Sequence, residues 1–329
     1  MASRSSPPVF VLGCPRSGTT LLYHMLLSSG DFAVYHAETH VFNLLAPRFG
    51  NLAVRANRER LMDVWLQTDY FRRTGLEPDE IKAQVLAECS TAGDFLRIVM
   101  ESMSRKQNAR RWAECTPEHL LYLHQIKKSI PEALVVHVIR DGRDVAMSLA
   151  RQRWIRTFPW DSGRDLMAAA MYWKWLVKRG RELGRALGAD YLEVRFEDLN
   201  LRPQESLTTI GAFIDHELDY EKIVKVGLGS VSQPNTSFGG KDDKDQAFNP
   251  VGRWHSLPPQ PMALLQSLLG EFLQELGYEV TGEHSRSLSL AARASLYPAW
   301  FTTKHWLRSH TPLGRFVDTG LLQSRIGSR

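Results

Sequence analysis

Short apolar runs alternate with longer amphipathic stretches along most of the chain. The β-branched and aromatic content of these runs predicts buried strands over residues 9–12, 32–35, 111–113, 133–139 and 191–196. Apolar positions at helical spacing predict helices over residues 19–29, 118–129, 163–187, 203–214, 218–226 and 261–276, and another from about 142 to 153. Because strands and helices alternate, the chain predicts an α/β fold, with a central, mostly parallel sheet flanked by helices in three layers.

Two stretches interrupt this alternation. Residues 41–110 contain helical and irregular segments with scattered arginines and aromatic residues. Such a stretch is either a solvated helical layer, as charge-rich faces usually are, or a cap that binds an acceptor substrate. Residues 239–250 are polar and rich in glycine, which predicts a loop.

The first predicted strand leads into Gly-Cys-Pro-Arg-Ser-Gly-Thr-Thr at residues 13–20. A strand, a glycine-rich turn and a helix N-terminus together point backbone N–H groups and the positive end of the helix dipole at an anion. The spacing of Gly13 and Gly18 is that of a P-loop, but Thr19 stands where the P-loop has lysine. The loop can therefore hold a phosphate without the ammonium group that reaches a γ-phosphate, and Arg16 supplies a cation from another direction.

The composition is that of an ordinary globular protein, with 43% hydrophobic and 23% charged residues. No apolar run approaches the roughly 18 residues of a membrane span, and the N-terminus lacks the apolar core of a signal peptide. The cysteines, Cys14, Cys89 and Cys115, have no metal-type spacing. We expect them to be reduced thiols in a cytoplasmic protein, and we expect no metal site.

The net charge of +5 is concentrated in a C-terminal extension at residues 284–329, which holds seven basic residues and one acidic residue. Aromatic residues are interleaved with these charges, which suits a membrane surface or an acidic partner. An arm packed on its own domain, or on a second subunit in a homodimer, fits equally well. We therefore predict a domain at residues 1–283 followed by this extension. The near-neutral remainder gives no reason to expect a nucleic-acid partner.

Three motifs, taken in order, resemble those of the sulfotransferases that use 3′-phosphoadenosine 5′-phosphosulfate (PAPS). The first is similar to the family's loop for the 5′-phosphosulfate and consists of Pro15, Arg16, Ser17, Gly18, Thr19 and Thr20. The second is similar to its 3′-phosphate segment, in which Arg140 and Ser148 would bind the phosphate. The third is similar to the late glycine-rich loop over the nucleotide and consists of Gly252, Arg253 and Trp254. Each motif alone is weak, but the ordered trio is specific.

The first motif has arginine where cytosolic members usually have lysine, and in this it resembles the tyrosylprotein sulfotransferases and many bacterial sulfotransferases more than the cytosolic members. This resemblance implies Glu38 as the catalytic base, with His40 as the second candidate. It also matches Phe196 to an aromatic position near the adenine where tyrosine is common, so that stacking is kept and a hydroxyl contact is lost.

One departure from the family concerns Cys115, which stands where many relatives have a lysine that assists the leaving group or the substrate. Either Arg16 carries this role alone, or a lysine enters from elsewhere. Lys241 and Lys244, in the loop before the third motif, are candidates.

The resemblance implies in-line transfer of a sulfuryl group from PAPS to a hydroxyl or amine acceptor of unknown class. Arg16 and the loop N–H groups would stabilise the charge that grows on the leaving oxygen, at ~3–4 kcal/mol per donor. A carboxylate at Glu38 would take the acceptor proton. Two other functions stay open: a non-catalytic protein that binds PAPS or sulfated ligands, and a P-loop kinase, which would need a cation at Thr19 and an acid for Mg²⁺.

Overall fold

A five-stranded parallel sheet forms the centre of the computed structural model, which describes residues 4–233, 249–280 and 288–316. Its strands are β1 (Val9–Gly13), β2 (Phe32–Ala33), β3 (Arg111–Glu114), β4 (Leu134–Ile139) and β5 (Tyr191–Arg195), in the spatial order β2-β3-β1-β4-β5. Each neighbouring pair is parallel. The fully apolar β1 and the nearly apolar β4 are buried along their whole length because helices cover both faces. The predicted three-layer α/β architecture is confirmed.

Helices occupy most of the remaining described residues. They are α1 (Thr19–Ser28), α2 (Ala46–Phe49), α3 (Arg55–Trp65), α4 (Asp69–Arg72), α5 (Pro78–Glu88), α6 (Ala92–Gln107), α7 (Leu123–Ser129), α8 (Gly142–Gln152), α9 (Asp165–Arg185), α10 (Phe196–Leu201), α11 (Pro203–Ile214), α12 (Tyr220–Val226), α13 (Pro259–Glu275) and α14 (Leu288–His310). Short helical segments of other types lie at Val41–Leu45, Pro117–Tyr122 and Arg253–Ser256, among others.

The two faces of the sheet carry separate apolar cores. Successive side chains of a strand point to opposite faces, so Phe10 joins one core while Val11 joins the other. Helices α8 and α9 pack together on the first face, where Trp173 of α9 is fully buried against Phe272 of α13. Helices α1 and α11 cover the second face. Residues that follow the carboxyl ends of the strands line a cleft.

Three elements differ from the sequence prediction. Strand β2 ends at Ala33 instead of residue 35, because the Gln107 side chain takes both backbone groups of Val34, at 2.7 Å to N and 3.0 Å to O. The helix predicted over 118–129 is divided into a 3₁₀ turn and α7. Phe196, predicted as the last residue of a strand, is instead the first residue of α10. The loop predicted over 239–250 lies mostly outside the described residues.

The described part of the C-terminal extension packs on its own domain. Helix α14 lies along α9, and its Tyr297 and Phe301 are buried. Phe301 contacts Tyr172 and Trp175 of α9, with ring centroids 5.3 and 5.5 Å apart. Trp306 and Phe316 remain exposed. Across the described ranges, no helix has the length and apolar character needed to span a bilayer.

Candidate active site

A cleft of about 290 Å³ opens where the strands end. It is lined by residues that follow each strand: Arg16 after β1, Glu38 after β2, Pro117 after β3, Arg140 after β4 and Phe196 after β5. Parallel strands end at one edge of the sheet, so residues far apart in the sequence meet there. We call this space the inner cleft. It brings together members of the first and second motifs with the candidate base.

The loop between β1 and α1 is held in an uncommon backbone conformation. Gly18 has φ +89°, and a Cβ at this position would lie 2.1 Å from the Phe196 ring, so only glycine fits. Arg16 also has a positive φ of 72°, which is rare for a residue with a side chain. The Ser17 hydroxyl is buried and has no hydrogen-bond partner within the described residues. These are the properties of a cradle for an external anion.

Arg140 lies buried beneath this loop. Its Nη1 donates a 3.0 Å hydrogen bond to the carbonyl oxygen of Arg16, and its guanidinium lies 4.5 Å from the centroid of the Phe196 ring. Asp144 pairs with it at 3.5 Å. Burial lowers the pKa of Arg140, and the Asp144 charge opposes this. The pair of Arg140 and Asp144 is therefore a buried ion pair.

Ser148, also in the second motif, contacts the side chain of Arg16. Its Oγ accepts a 2.9 Å hydrogen bond from Nε of Arg16. Arg140 and Ser148, which the resemblance assigns to one phosphate, therefore both contact Arg16. Arg140 lines the inner cleft, whereas Ser148 lies behind Arg16 and is not among the lining residues.

The third motif is held in place by a residue of the second motif, Asp144. Its two carboxylate oxygens accept hydrogen bonds from the backbone N–H groups of Gly252, at 3.0 Å, and Trp254, at 2.8 Å. The guanidinium of Arg143 lies 3.4 Å from the centroid of the buried Trp254 ring. Gly252, Arg253 and Trp254 do not line the inner cleft, but the neighbouring Pro250 does. Sequence reasoning missed Asp144, because an aspartate among arginines looks like part of a solvated ion pair.

Glu38 faces the inner cleft with 30% of its side chain exposed. Burial raises its pKa to about 8, and the nearby carboxylates of Glu114 and Glu118 add to this effect. His40 lies behind it, with Nε2 at 3.3 Å from a Glu38 oxygen, and does not line the cleft. Burial, assisted by His119, lowers the pKa of His40 to about 4. Near neutral pH the pair is therefore an uncharged imidazole beside a mostly protonated carboxyl group.

The backbone that carries Glu38 is fixed by Thr116, which sequence reasoning did not single out. Thr116 Oγ1 accepts hydrogen bonds from the N–H groups of Thr39, at 2.9 Å, and His40, at 3.1 Å, and donates one to Glu114. Burial alone would raise the pKa of Glu114, but the His119 ring at 3.0 Å and the bonds from Thr116 hold it at about 2. A buried, ionised carboxylate thus fixes the hydroxyl that positions the Glu38 loop.

Cys115 does not face the inner cleft. Its side chain is 1% exposed and packs in the apolar core on the second face of the sheet, where burial raises the pKa of its thiol. It is a core residue, in line with a packing role. Lys241 and Lys244 lie outside the described residues. Among the described lining residues, the cations of the inner cleft are Arg16 and Arg140.

Comparison with known proteins gives a consistent family. A family model described as the sulfotransferase family matches residues 7–220. Protein-tyrosine sulfotransferase 1 of Danio rerio is 24% identical over 289 residues, which cover 84% of this chain and 74% of that protein. Protein-tyrosine sulfotransferase A of Caenorhabditis elegans is 24% identical over 296 residues, with 84% and 68% covered.

Two solved structures share the fold. The sulfotransferase domain from the olefin synthase of Synechococcus PCC 7002 is 21% identical, with a TM-score of 0.55 over 85% of this chain and 97% of that domain. The sulfotransferase domain from the curacin biosynthetic pathway is 16% identical, with a TM-score of 0.56 over 85% of this chain and all of that domain. With the family model covering well over half of the sequence, the chain belongs to the sulfotransferase family, enzymes that transfer sulfuryl groups.

Proposed function

We propose that this sulfotransferase takes PAPS as its donor and passes the sulfuryl group to a hydroxyl or amine acceptor, with Glu38 as the general base. One observation carries the proposal: a single cleft is lined by the anion-cradling loop, by the buried cation of Arg140 and by a carboxyl group with a raised pKa. Transfer of a sulfuryl group from a phosphate leaving group requires an anion-binding site beside a general base.

The residues present fit a doubly phosphorylated adenosine. The unpartnered, buried Ser17 hydroxyl and the N-terminus of α1 at Thr19 can donate hydrogen bonds to one anionic group. Arg140 has a buried Nε without a partner within the described residues and supplies a second cationic position. The Phe196 ring lies beside both and lines the cleft, where it can stack on a base.

When bound, PAPS supplies a sulfuryl group whose bond to the phosphate oxygen breaks, with the electron pair staying on that oxygen, as the bond to the acceptor forms. Arg16 and the loop N–H groups stabilise the charge on the departing oxygen. Glu38 accepts the acceptor proton. A carboxylate whose conjugate acid has a pKa of about 8 is a stronger base than an ordinary glutamate, although less of it is ionised at neutral pH.

Binding of 3′,5′-adenosine bisphosphate, measured by calorimetry and by protection from unfolding, tests the donor. A ligand present at about 100 times its Kd should add about 2.7 kcal/mol to the free energy of unfolding. ATP at the same concentration should add much less, because the loop lacks the lysine that reaches a γ-phosphate. Stronger stabilisation by ATP than by the bisphosphate would overturn the proposal.

Transfer itself is tested with sulfur-labelled PAPS and a panel of phenols, alcohols, sugars and amines. Labelled product is expected with at least one class, and the Arg16→Ala variant should lose most of this activity while keeping its fold. Bisphosphate binding without transfer to any class would instead favour a protein that binds the nucleotide without catalysis.

A further inference from the structure

A second cleft of about 720 Å³ lies beside the inner cleft. Its walls are the loop at residues 154–160, the turn Pro117–Tyr122 and α14, and we call it the outer cleft. Trp154 lines both clefts, and its ring centroid lies 5.8 Å from Cζ of Arg16. A ligand whose reactive end lies near Glu38 can therefore continue past Trp154 into the outer cleft.

Large aromatic rings line the outer cleft and remain open to solvent. Phe158 and Trp160 stack with their centroids 4.8 Å apart and their planes at 6°, and Trp300 of α14 lies 6.0 Å from Phe158. Trp154, Trp160 and Trp300 are 53%, 68% and 44% exposed. Such a concentration of exposed aromatic surface in a concave site is typical of a surface that receives a flat apolar ligand.

The aromatic walls are held rigidly by one buried carboxylate. Asp161 directly follows the loop at residues 154–160. It accepts hydrogen bonds from Nη1 of Arg293 at 3.2 Å and from the Tyr297 hydroxyl at 2.7 Å, both on α14. Nε of Arg164 lies 2.9 Å from the same group. The loop and the C-terminal helix thus form one preorganised wall, which reduces the entropy lost on binding.

The charges along this cleft have one predominant sign. Arg156, Lys304 and Arg308 line it, and Arg156 and Lys304 are exposed and form no ion pair within the described residues. Among the described residues that line it, the one carboxylate is Glu118, whose two oxygens already accept hydrogen bonds, from Asn43 at 3.0 Å and Tyr172 at 2.8 Å. The outer cleft is therefore positively charged at its rim and apolar inside.

We propose that the outer cleft binds the body of the sulfuryl acceptor, and that this acceptor is an amphiphile with a flat apolar part and an anionic group. The flat part lies among Trp154, Phe158 and Trp160, the anion lies near Arg156 and Lys304, and the hydroxyl or amine enters the inner cleft beside Glu38. This proposal rests on the proposed function, because it assumes that the inner cleft carries out the transfer.

Two rigid probes that differ in a single charge test the acceptor class. The full-length protein, saturated with 3′,5′-adenosine bisphosphate, is titrated calorimetrically with 2-naphthol and with 6-hydroxy-2-naphthoate. The carboxylate probe should bind roughly ten-fold more tightly, because the two surface cations each contribute up to ~1 kcal/mol. Equal affinities, or tighter binding of the neutral probe, would overturn the proposal.

Substitutions in the wall locate the binding. Lys304→Glu should weaken binding of the carboxylate probe at least three-fold and leave 2-naphthol within two-fold, whereas Trp160→Ala should weaken both probes alike. Lys128→Glu, an equal charge reversal at an exposed position of α7, is the matched control and should change neither. If Lys304→Glu and Lys128→Glu behave alike, the anion does not bind at this rim and the proposal fails.

The same titrations separate this inference from the proposed function. Bisphosphate affinity is measured on every variant, together with the unfolding temperature to confirm folding. Normal bisphosphate binding with no preference for the carboxylate probe would reject the acceptor class alone. A second outcome is that the protein does not bind the bisphosphate, while the wild type prefers the carboxylate probe and Lys304→Glu does not. This outcome would reject PAPS as the donor and keep the anionic binding site.

Discussion

Nε of Arg16 donates a 2.9 Å hydrogen bond to Oγ of Ser148, although 132 residues separate the two in the sequence. Arg140 also contacts Arg16, because its Nη1 donates a 3.0 Å hydrogen bond to the carbonyl oxygen of Arg16. The second motif therefore supports the loop of the first motif, in addition to any contact it makes with a ligand. Arg16, with its positive φ, is fixed at its side chain and its carbonyl at once.

The Ser148→Ala variant tests whether this serine acts on the 3′-phosphate. The resemblance assigns Ser148 to that phosphate, and loss of one hydrogen bond to a charged group costs about 1.5–3 kcal/mol, so on this assignment affinity for 3′,5′-adenosine bisphosphate should fall more than ten-fold. Affinity for 5′-AMP, which has no 3′-phosphate, should fall much less. Calorimetric titration of both ligands gives the comparison, and equal losses would show that Ser148 acts only by holding Arg16.

A second prediction concerns the pH dependence of turnover. Glu38 is protonated below its pKa of about 8 and becomes a competent base above it, so kcat/KM should rise with pH and level off beyond 8. Glu38→Gln should lower kcat ~10²–10⁴-fold and remove this rise. Initial rates between pH 6 and pH 9.5 with a reactive acceptor provide the measurement.

The control for this experiment is His40→Gln. Because His40 lies behind Glu38 and outside the inner cleft, this variant should keep the alkaline rise, with its midpoint shifted by the altered neighbour. A wild-type profile that is flat across the range, or full activity in Glu38→Gln, would remove Glu38 from the role of base and make His40 the next candidate.

The sequence predicted the parts of the site that lie in contiguous stretches. The loop at residues 13–20 carries its own signals in glycine spacing and the apolar strand before it, and Glu38 follows a recognisable strand. Thr116 and Asp144 carry no such signal, because their partners lie 77 and 110 residues away. A threonine hydroxyl that accepts two backbone N–H groups is defined only once β2 and β3 lie side by side.

The outer cleft is a second feature that the sequence does not predict. Aromatic residues near position 160 and basic residues in the C-terminal extension are both visible in the sequence, where the extension suits a membrane or a partner as readily as its own domain. Their meeting depends on Asp161, which bonds to Arg293 and Tyr297 more than 130 residues later. Such long-range polar contacts leave no periodic pattern in the sequence.

Thr116 provides a third prediction, because its hydroxyl can be removed at nearly constant shape. Thr116→Val leaves the N–H groups of Thr39 and His40 without their acceptor and loosens the loop that carries Glu38, so kcat should fall roughly ten-fold or more. The affinity for the bisphosphate should stay within two-fold, since the phosphate loop is untouched. Steady-state kinetics and calorimetry on the same preparations measure both quantities.

Thr116→Ser is the matched control, because it keeps the hydroxyl and removes only a methyl group. It should retain most of the wild-type kcat. Equal activity of the valine and serine variants would mean that the hydroxyl does not position Glu38. A fall in bisphosphate affinity of the same size as the fall in kcat would point instead to general disruption of the site.

The last prediction follows from the contact between Gly18 and Phe196. Gly188→Ala is the reference for the backbone cost, because it introduces a side chain at a positive φ of 57° where no atom of the described residues lies within 4 Å. It should cost only the ~1–2 kcal/mol of a left-handed backbone. Gly18→Ala has a similar backbone cost and in addition drives Cβ into the Phe196 ring. Overpacking of this kind costs a further ~1–3 kcal/mol, and it should weaken bisphosphate binding because the displaced Phe196 ring contacts the Arg140 guanidinium.

A double variant separates the clash from the backbone cost. Phe196→Ala removes the ring that a Cβ at position 18 would meet, so Gly18→Ala should cost less stability in that background than in the wild type. Urea unfolding of both single variants and the double variant measures this coupling, with Gly188→Ala as the backbone reference. Strict additivity would show that the loop moves away from Phe196, and that the ring does not dictate glycine at position 18.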